Sequence, residues 1–197
     1  MKVAVVGIAH PHSRSYLETL ALIDAVEEVT MLNDDPQRVT SALQAAAPRP
    51  ARTATCVEEI LDDQATAAAI VAVPTREAPG MAARLLAAGK HVLMEKPGAL
   101  SASHFEEAAA SATAARRVLS ISYPLRCHPV AQAIRRLVEE GALGRIVSFE
   151  ARWIASQVRL RDPSLWLFSK DEAGGGIFSW LGCHWVDLLR FWLNDEV

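Results

Sequence analysis

Short apolar runs recur through the first 122 residues, and a helix-like segment separates most of them from the next. The runs are Lys2 to Val6, Val29 to Leu32, Thr53 to Cys56, Ala69 to Val73, His91 to Met94 and Val118 to Ser122. Between them, Ser13 to Ala25 carries Leu17, Leu20 and Ala21 on one helical face, Pro36 can open a second helix, and Val57 to Leu61 reads as a short third. Ala78 to Ala88 is rich in Ala and Leu, and Gly89 stops it where a left-handed residue relieves a helix end. Ser13 or Ser15 can cap the first helix, and Ser103-x-x-Glu106 reads as a capping box for the helix to Ala115. Strands that alternate with helices over short links build a parallel sheet wound on both faces. Continuous apolar runs bounded by Gly or Pro suit strands buried on both sides.

The chain has 197 residues, enough for one large domain or a domain and a half. It carries 20 basic and 23 acidic residues, for a net charge of −3, and no run of Lys or Arg. Nucleic acid is therefore not an expected partner. No apolar run reaches membrane-spanning length, so no membrane is expected either. Cys56, Cys127 and Cys183 are widely spaced and odd in number, which reads as reduced thiols in a cytoplasmic protein.

In a parallel α/β sheet, ligands sit beyond the carboxyl ends of the strands. The fifth run ends in Glu95-Lys96-Pro97-Gly98, a charged pair at the end of a buried strand, and this is the first candidate site. The first turn, Gly7-Ile8-Ala9-His10-Pro11-His12, stands where Gly-x-Gly-x-x-Gly would cradle a pyrophosphate at a helix N-terminus. Only its first glycine remains; Ala9 is small, and His12 occupies the third glycine's place. The turn reads either as a nucleotide site or as a plain strand–turn–helix. His10 and His12 lack a third ligand at fixed spacing, so two polar residues at a helix start are favoured over a metal site, and no metal is expected. The second strand ends in Asn33-Asp34, where an acidic residue holds a dinucleotide's ribose; a turn and cap explain the same residues equally well. No Arg or Lys follows within that turn, which favours NAD slightly over NADP. Pro74-Thr75 closes the fourth strand on the same edge.

Residues 123–197 form an expected second domain after a first domain of residues 1–122. Val130, Ile134, Leu137 and Val138 are at helical spacing before Gly141. Gly144 to Trp153 alternates Ile146, Ser148, Glu150 and Arg152 with Val147, Phe149, Ala151 and Trp153, which predicts a strand with one buried face. A loop with Trp166 and Phe168 runs into Gly174-Gly175-Gly176. Residues 177–193 read as a helix with an apolar stripe of Leu181, Trp185, Leu188, Leu189 and Trp192. Trp180, His184, Asp187 and Phe191 make a second stripe. A His and an Asp one turn apart form a candidate acid/base pair, although a structural His–Asp pair is the commoner arrangement.

These segments together resemble a family, the glucose–fructose oxidoreductase, inositol dehydrogenase and rhizopine-catabolism oxidoreductases (Gfo/Idh/MocA). The resemblance is carried by the N-terminal VAVVG, Ala87 to Pro97 (AAGKHVLMEKP), Leu125 to Pro129 (LRCHP), Glu139 to Ile146 (EEGALGRI) and the Gly174 to Asp187 segment with its Gly-x-His-x-x-Asp. It implies a Rossmann-type domain followed by the first part of an α+β open-sheet domain. It implies an NAD(P)-dependent dehydrogenase that moves hydride between a nicotinamide cofactor and a hydroxyl or carbonyl of a sugar, cyclitol or related small molecule. Under it, Gly7, Ile8, Ala9, His10, His12, Asn33, Asp34, Pro74, Thr75, Glu95, Lys96 and Pro97 would hold the cofactor. Lys96 would steady the reacting hydroxyl, His184 would lie near the reacting carbon with Asp187 as an alternative proton partner, and Arg126 and Trp180 would be further substrate contacts. Trp180 stands where the family often has an Asp, which breaks a Lys–Asp–His proton relay. The resemblance also implies a homo-oligomer through a C-terminal sheet, of which this chain holds one expected strand. The second function class is a non-catalytic nucleotide-binding or regulatory module of the same fold. A third, a metal-assisted enzyme using His184, Asp187 and His10 or His12, has the weakest support.

Overall fold

The computed structural model describes residues 1–196; Val197, the last residue of the expected second domain, lies outside them. The chain divides into two compact units, Met1–Ile121 and the segment from Ser122 onward.

The first unit is a six-stranded sheet. Its strands are β1 (Lys2–Val6), β2 (Glu28–Leu32), β3 (Ala51–Ala54), β4 (Thr66–Val71), β5 (His91–Glu95) and β6 (Leu119–Ser122), whose last residue begins the second unit. Their order across the sheet is β3-β2-β1-β4-β5-β6. The pairs β1–β2, β1–β4, β2–β3 and β4–β5 are all parallel. This is a Rossmann-type sheet, and the strand order reverses between β1 and β4. The helices are α1 (Ser13–Leu22), α2 (Val39–Ala46), α3 (Glu58–Asp62), α4 (Ala78–Ala87) and α5 (Ala102–Ala115).

Period two along β1 sorts its side chains between two cores. Ala4 and Val6 join Val71, Leu85, Leu86, Val92, Met94 and Ala108 on one face. Val3 and Val5 join Leu17, Leu20, Val29 and Met31 on the other. A strand covered on both faces has no polar side to display, which is why these runs read as continuous apolar stretches. Lys90 is one of the charged residues buried in this unit. Only 2% of it is exposed, and its Nζ donates to the Asp63 carbonyl at 2.6 Å.

Element boundaries differ from the sequence reading by a few residues, and two caps differ in kind. Ser101, not Ser103, caps α5: its Oγ accepts from the His104 N–H at 3.2 Å. Neither Ser13 nor Ser15 caps α1; His12 is the N-cap residue without a side-chain cap, and Ser13 Oγ donates back to the Gly7 carbonyl.

The second unit contains α6 (Pro129–Glu139), α7 (Lys170–Ala173) and α8 (Cys183–Leu193). Its small core joins Ala131, Leu188 and Trp192, with Leu125, Ile134, Trp185 and Phe191 against it. Trp192 Nε1 donates to the Ala131 carbonyl at 2.9 Å and ties α8 to α6. Two expectations are corrected here. The helix expected from residue 177 opens as a π-helical turn over Phe178–Gly182 and becomes regular only at Cys183. Residues 145–155 are irregular rather than a strand. Alternation creates an apolar face, but a strand also needs a neighbour for its N–H and C=O groups, and no ladder partner for this segment is present among the described residues. Val147 is accordingly 88% exposed. No described helix is long and apolar enough to cross a membrane.

Candidate active site

Parallel strands deliver their carboxyl ends to one edge of the sheet. On this edge stand the Gly7 turn after β1, Asn33–Asp34 after β2, Pro74–Thr75 after β4, and Glu95-Lys96-Pro97 at the end of β5. The turn after β1 lies beside the topological switch, where doubly wound sheets open a crevice.

Gly7 has φ +106°, and a Cβ there would overlap the Ala72 carbonyl. Only glycine lets the chain turn so close to the end of β4. His10 N–H donates to the Gly7 carbonyl at 3.2 Å, and His12 N–H to His10 Nδ1 at 3.1 Å. Ile8 N–H donates to Asp34 Oδ1 at 2.9 Å. Desolvation by the surrounding chain raises the Asp34 pKa, and the hydrogen bonds from the Ile8 and Ala9 amides oppose that rise. The two sequence features on β1 and β2, the eroded glycine turn and the acidic strand end, are thus one hydrogen-bonded unit.

Glu95 is 6% exposed and Lys96 3%. Glu95 Oε1 accepts from Tyr16 Oη at 2.7 Å and lies 2.8 Å from His12 Nδ1. Its Oε2 is buried without a hydrogen-bond partner. Burial pushes the Glu95 pKa up, but the His12 hydrogen bond, the charges of His10 and His12 and the Tyr16 hydroxyl outweigh it and hold the pKa below the ordinary value. The Lys96–Pro97 bond is cis. Tyr16 was missed by sequence reasoning; it sits four residues after His12, on the same helical face, and that spacing was the available signal.

In the second unit, His184 and Asp187 are both buried on α8. Tyr123 meets the His184 ring edge-on at 5.9 Å, and Trp153 lies 5.8 Å from it. Burial pushes the Tyr123 phenol up to about 12. Asp187 is gripped by Arg126 through two hydrogen bonds, Nε to Oδ2 at 2.7 Å and Nη2 to Oδ1 at 2.5 Å. The fork geometry suits a carboxylate, and the bond to Asp187 raises the Arg126 pKa further. Asp187, expected as a proton partner for His184, therefore has a guanidinium on both oxygens. Arg126, expected at the substrate, spends its fork on Asp187 and also lies over the Phe191 ring at 5.3 Å. Trp180 packs edge-on against Trp166 at 5.9 Å and helps line a cavity of about 740 Å³ with Trp153, Lys170 and Leu181.

The pattern of an oxidoreductase family with an NAD-binding Rossmann fold matches residues 1–123, and that of the Gfo/Idh/MocA C-terminal domain matches residues 131–197. The chain belongs to the Gfo/Idh/MocA family of oxidoreductases. It is 30% identical over 173 residues to the 1,5-anhydro-D-fructose reductase of Ensifer adhaerens, a match covering 86% of this chain and 50% of that relative. An oxidoreductase domain protein from Kribbella flavida superposes with a TM-score of 0.79 at 25% identity, over 98% of this chain and 54% of that one. A levoglucosan dehydrogenase in complex with NADH and L-sorbose gives 0.81 at 22% identity, over 99% and 53%, and shows likeness of fold alone. The chain thus spans about half the length of these Gfo/Idh/MocA proteins.

Proposed function

We propose that this chain is the cofactor-binding part of an NAD(P)-dependent dehydrogenase acting on a hydroxyl or carbonyl of a sugar, cyclitol or related small molecule. The observation that carries the reading is Lys96, buried beside Glu95 at the end of β5 on the sheet edge that also bears the Gly7 turn. Two features fit a dinucleotide: a turn so tight that a Cβ at Gly7 would fill it, and a buried Glu95 oxygen with no partner. The NAD-binding Rossmann pattern matched over residues 1–123 supports the cofactor class.

The nicotinamide cofactor, when bound, supplies the hydride acceptor or donor. The remaining work falls to side chains of this chain. Gly7, Ile8 and Ala9 shape the turn, with His10 and His12 continuing it; Pro74-Thr75 closes β4 beside it. Asn33 and Asp34 hold the ribose end, and an acid there repels a 2′-phosphate, which favours NAD over NADP. Glu95 orients the neighbouring ribose through Oε2, with Pro97 fixing the turn. Lys96, as an ammonium, steadies the developing alkoxide and, in the reducing direction, gives it a proton; a fixed ammonium in a water-poor site does this far better than water. His184 holds a proton for the substrate, with Trp180 as an apolar contact. Arg126 and Asp187 act on each other and position α8. Assembly into a homo-oligomer through the C-terminal domain belongs to the same reading and would show as a mass above one chain in light scattering.

Calorimetric titration with NADH and NADPH tests the cofactor. NADH should bind more tightly than NADPH, and Asp34→Ser should narrow the gap. Heat from neither nucleotide at millimolar concentration would defeat the proposal. Turnover is tested on a panel of sugars and polyols. Lys96→Ala should lower kcat/KM by about 10²- to 10⁴-fold while NADH still binds. Binding without turnover in the unsubstituted protein would instead favour a regulatory, non-catalytic module.

A further inference from the structure

The cavity of about 740 Å³ beside Trp180 is built wholly from the second unit. Small-molecule sites span roughly 300–1,000 Å³ and are mostly apolar, with a few placed polar groups. Here Trp153, Trp180 and Leu181 supply apolar wall, and Ser156, Arg161 and Lys170 are its polar side chains of interest. Both indoles are held by aromatic neighbours. Trp153 lies 5.8 Å from the His184 ring and meets Trp185 edge-on at 6.1 Å, and Trp180 meets Trp166 at 5.9 Å. Rings held in this way offer flat apolar faces at little further entropic cost. The C–H face of a sugar ring packs against such a surface.

The charge of the lining narrows the ligand further. No acidic residue lines the cavity. Arg161 is half-buried, and its guanidinium has no ion-pair or hydrogen-bond partner among the described residues. Asp162, the next residue, is engaged elsewhere: its carboxylate accepts from the Ser164 N–H at 2.8 Å and from the Ser164 hydroxyl at 2.7 Å. Lys170 forms no ion pair among the described residues either, and Asp171 and Glu172 beside it stay out of the lining. A partly desolvated cation without a counter-ion is costly. The guanidinium fork matches a carboxylate or a phosphate, and a nearby ammonium adds a point charge.

We propose that this cavity binds a sugar or glycoside that carries a carboxylate or phosphate, with its ring against Trp153 and Trp180 and its anion on Arg161 and Lys170. That such a molecule is the substrate rests on the proposed dehydrogenase function; the binding itself does not.

The test is calorimetric titration of the 197-residue chain, without nucleotide, with D-glucuronate, D-glucose 6-phosphate and D-glucose, read in parallel by tryptophan emission. At least one of the two anionic sugars should bind about 10-fold or more tightly than glucose, and the stronger one tells carboxylate from phosphate. Arg161→Ala should remove that advantage, Lys170→Ala should lower it by about 2- to 5-fold, and Arg159→Ala, outside the lining, should leave it unchanged. High salt should weaken the anionic sugar and not glucose. Equal affinity for all three sugars, or no binding of any, would overturn the proposal, and this comparison needs no variant. So would an advantage that survives in an Arg161→Ala/Lys170→Ala chain shown to be folded by circular dichroism, or inorganic phosphate binding as tightly as glucose 6-phosphate. NADH titration of the same chain keeps the two readings apart: NADH binding without preference for an anionic sugar sinks this inference alone, and the reverse sinks the dehydrogenase reading alone.

Discussion

The two units of this chain treat apolar sequence in opposite ways. In the first, the apolar runs become β1 to β6, and Ala4, Val5, Val6, Val29, Val71 and Met94 have no exposed surface. In the second, a comparable run at residues 144–153 stays irregular, and Val147, Ile154, Leu160 and Phe178 are 88, 83, 85 and 71% exposed. Hydrophobicity does not separate them. What separates them is whether a neighbouring strand accepts the backbone hydrogen bonds and a helix covers the face. β1 has β2 and β4 on its two sides; the 144–153 segment has no such neighbour among the described residues.

That contrast can be broken by substitution. The largest effect should come from Leu86→Ala, fully buried under the sheet, at about 2–5 kcal/mol in chemical denaturation. Gly7→Ala should cost about 2–4 kcal/mol, because it combines a positive φ with overlap against the Ala72 carbonyl. Arg126→Ala should destabilise by about 1–3 kcal/mol, since it strands the buried Asp187 carboxylate, while Arg126→Lys recovers only part through loss of the fork. Glu28 gives a smaller, pH-dependent effect. The hydrogen bond and charge of Lys2, helped by Arg52, hold its pKa below 4.5. A lowered carboxylate stabilises the fold above its unfolded pKa, and that contribution is lost as pH falls through the folded value. The stability gap between the parent chain and Lys2→Ala should be under about 1 kcal/mol at pH 7 and vanish in acid below Glu28's folded pKa. Val147→Ala should change stability by no more than about 0.5 kcal/mol, as expected of an exposed residue. A cost of several kcal/mol there would mean that the 144–153 segment is packed after all.

The same contrast explains what the sequence made legible. The first unit could be read because each buried strand carries its signal locally, in runs of four to six residues, and because Gly7, Gly89 and Pro74 punctuate them. Caps were less legible, since Ser101 and Ser103 are both plausible and the choice between them depends on where α5 meets the sheet. Contacts between distant residues were not legible at all. Asp187 reads as a neighbour of His184 by spacing, but its fork partner Arg126 lies 61 residues earlier. Glu95 read as a residue of the β5 end, and its clasp by His12 and Tyr16 appears only when α1 is laid beside β5.

In the proposed function, a nicotinamide dinucleotide lies on the carboxyl edge of the β1–β2–β4–β5 sheet, across the Gly7 turn and Glu95-Lys96. Hydrogen–deuterium exchange with and without saturating NADH tests it most directly. Exchange should slow in residues 7–13, 33–35, 74–76 and 95–98 and stay unchanged in residues 145–155. Protection absent from the Gly7 turn, or confined to the cavity beside Trp180, would contradict it.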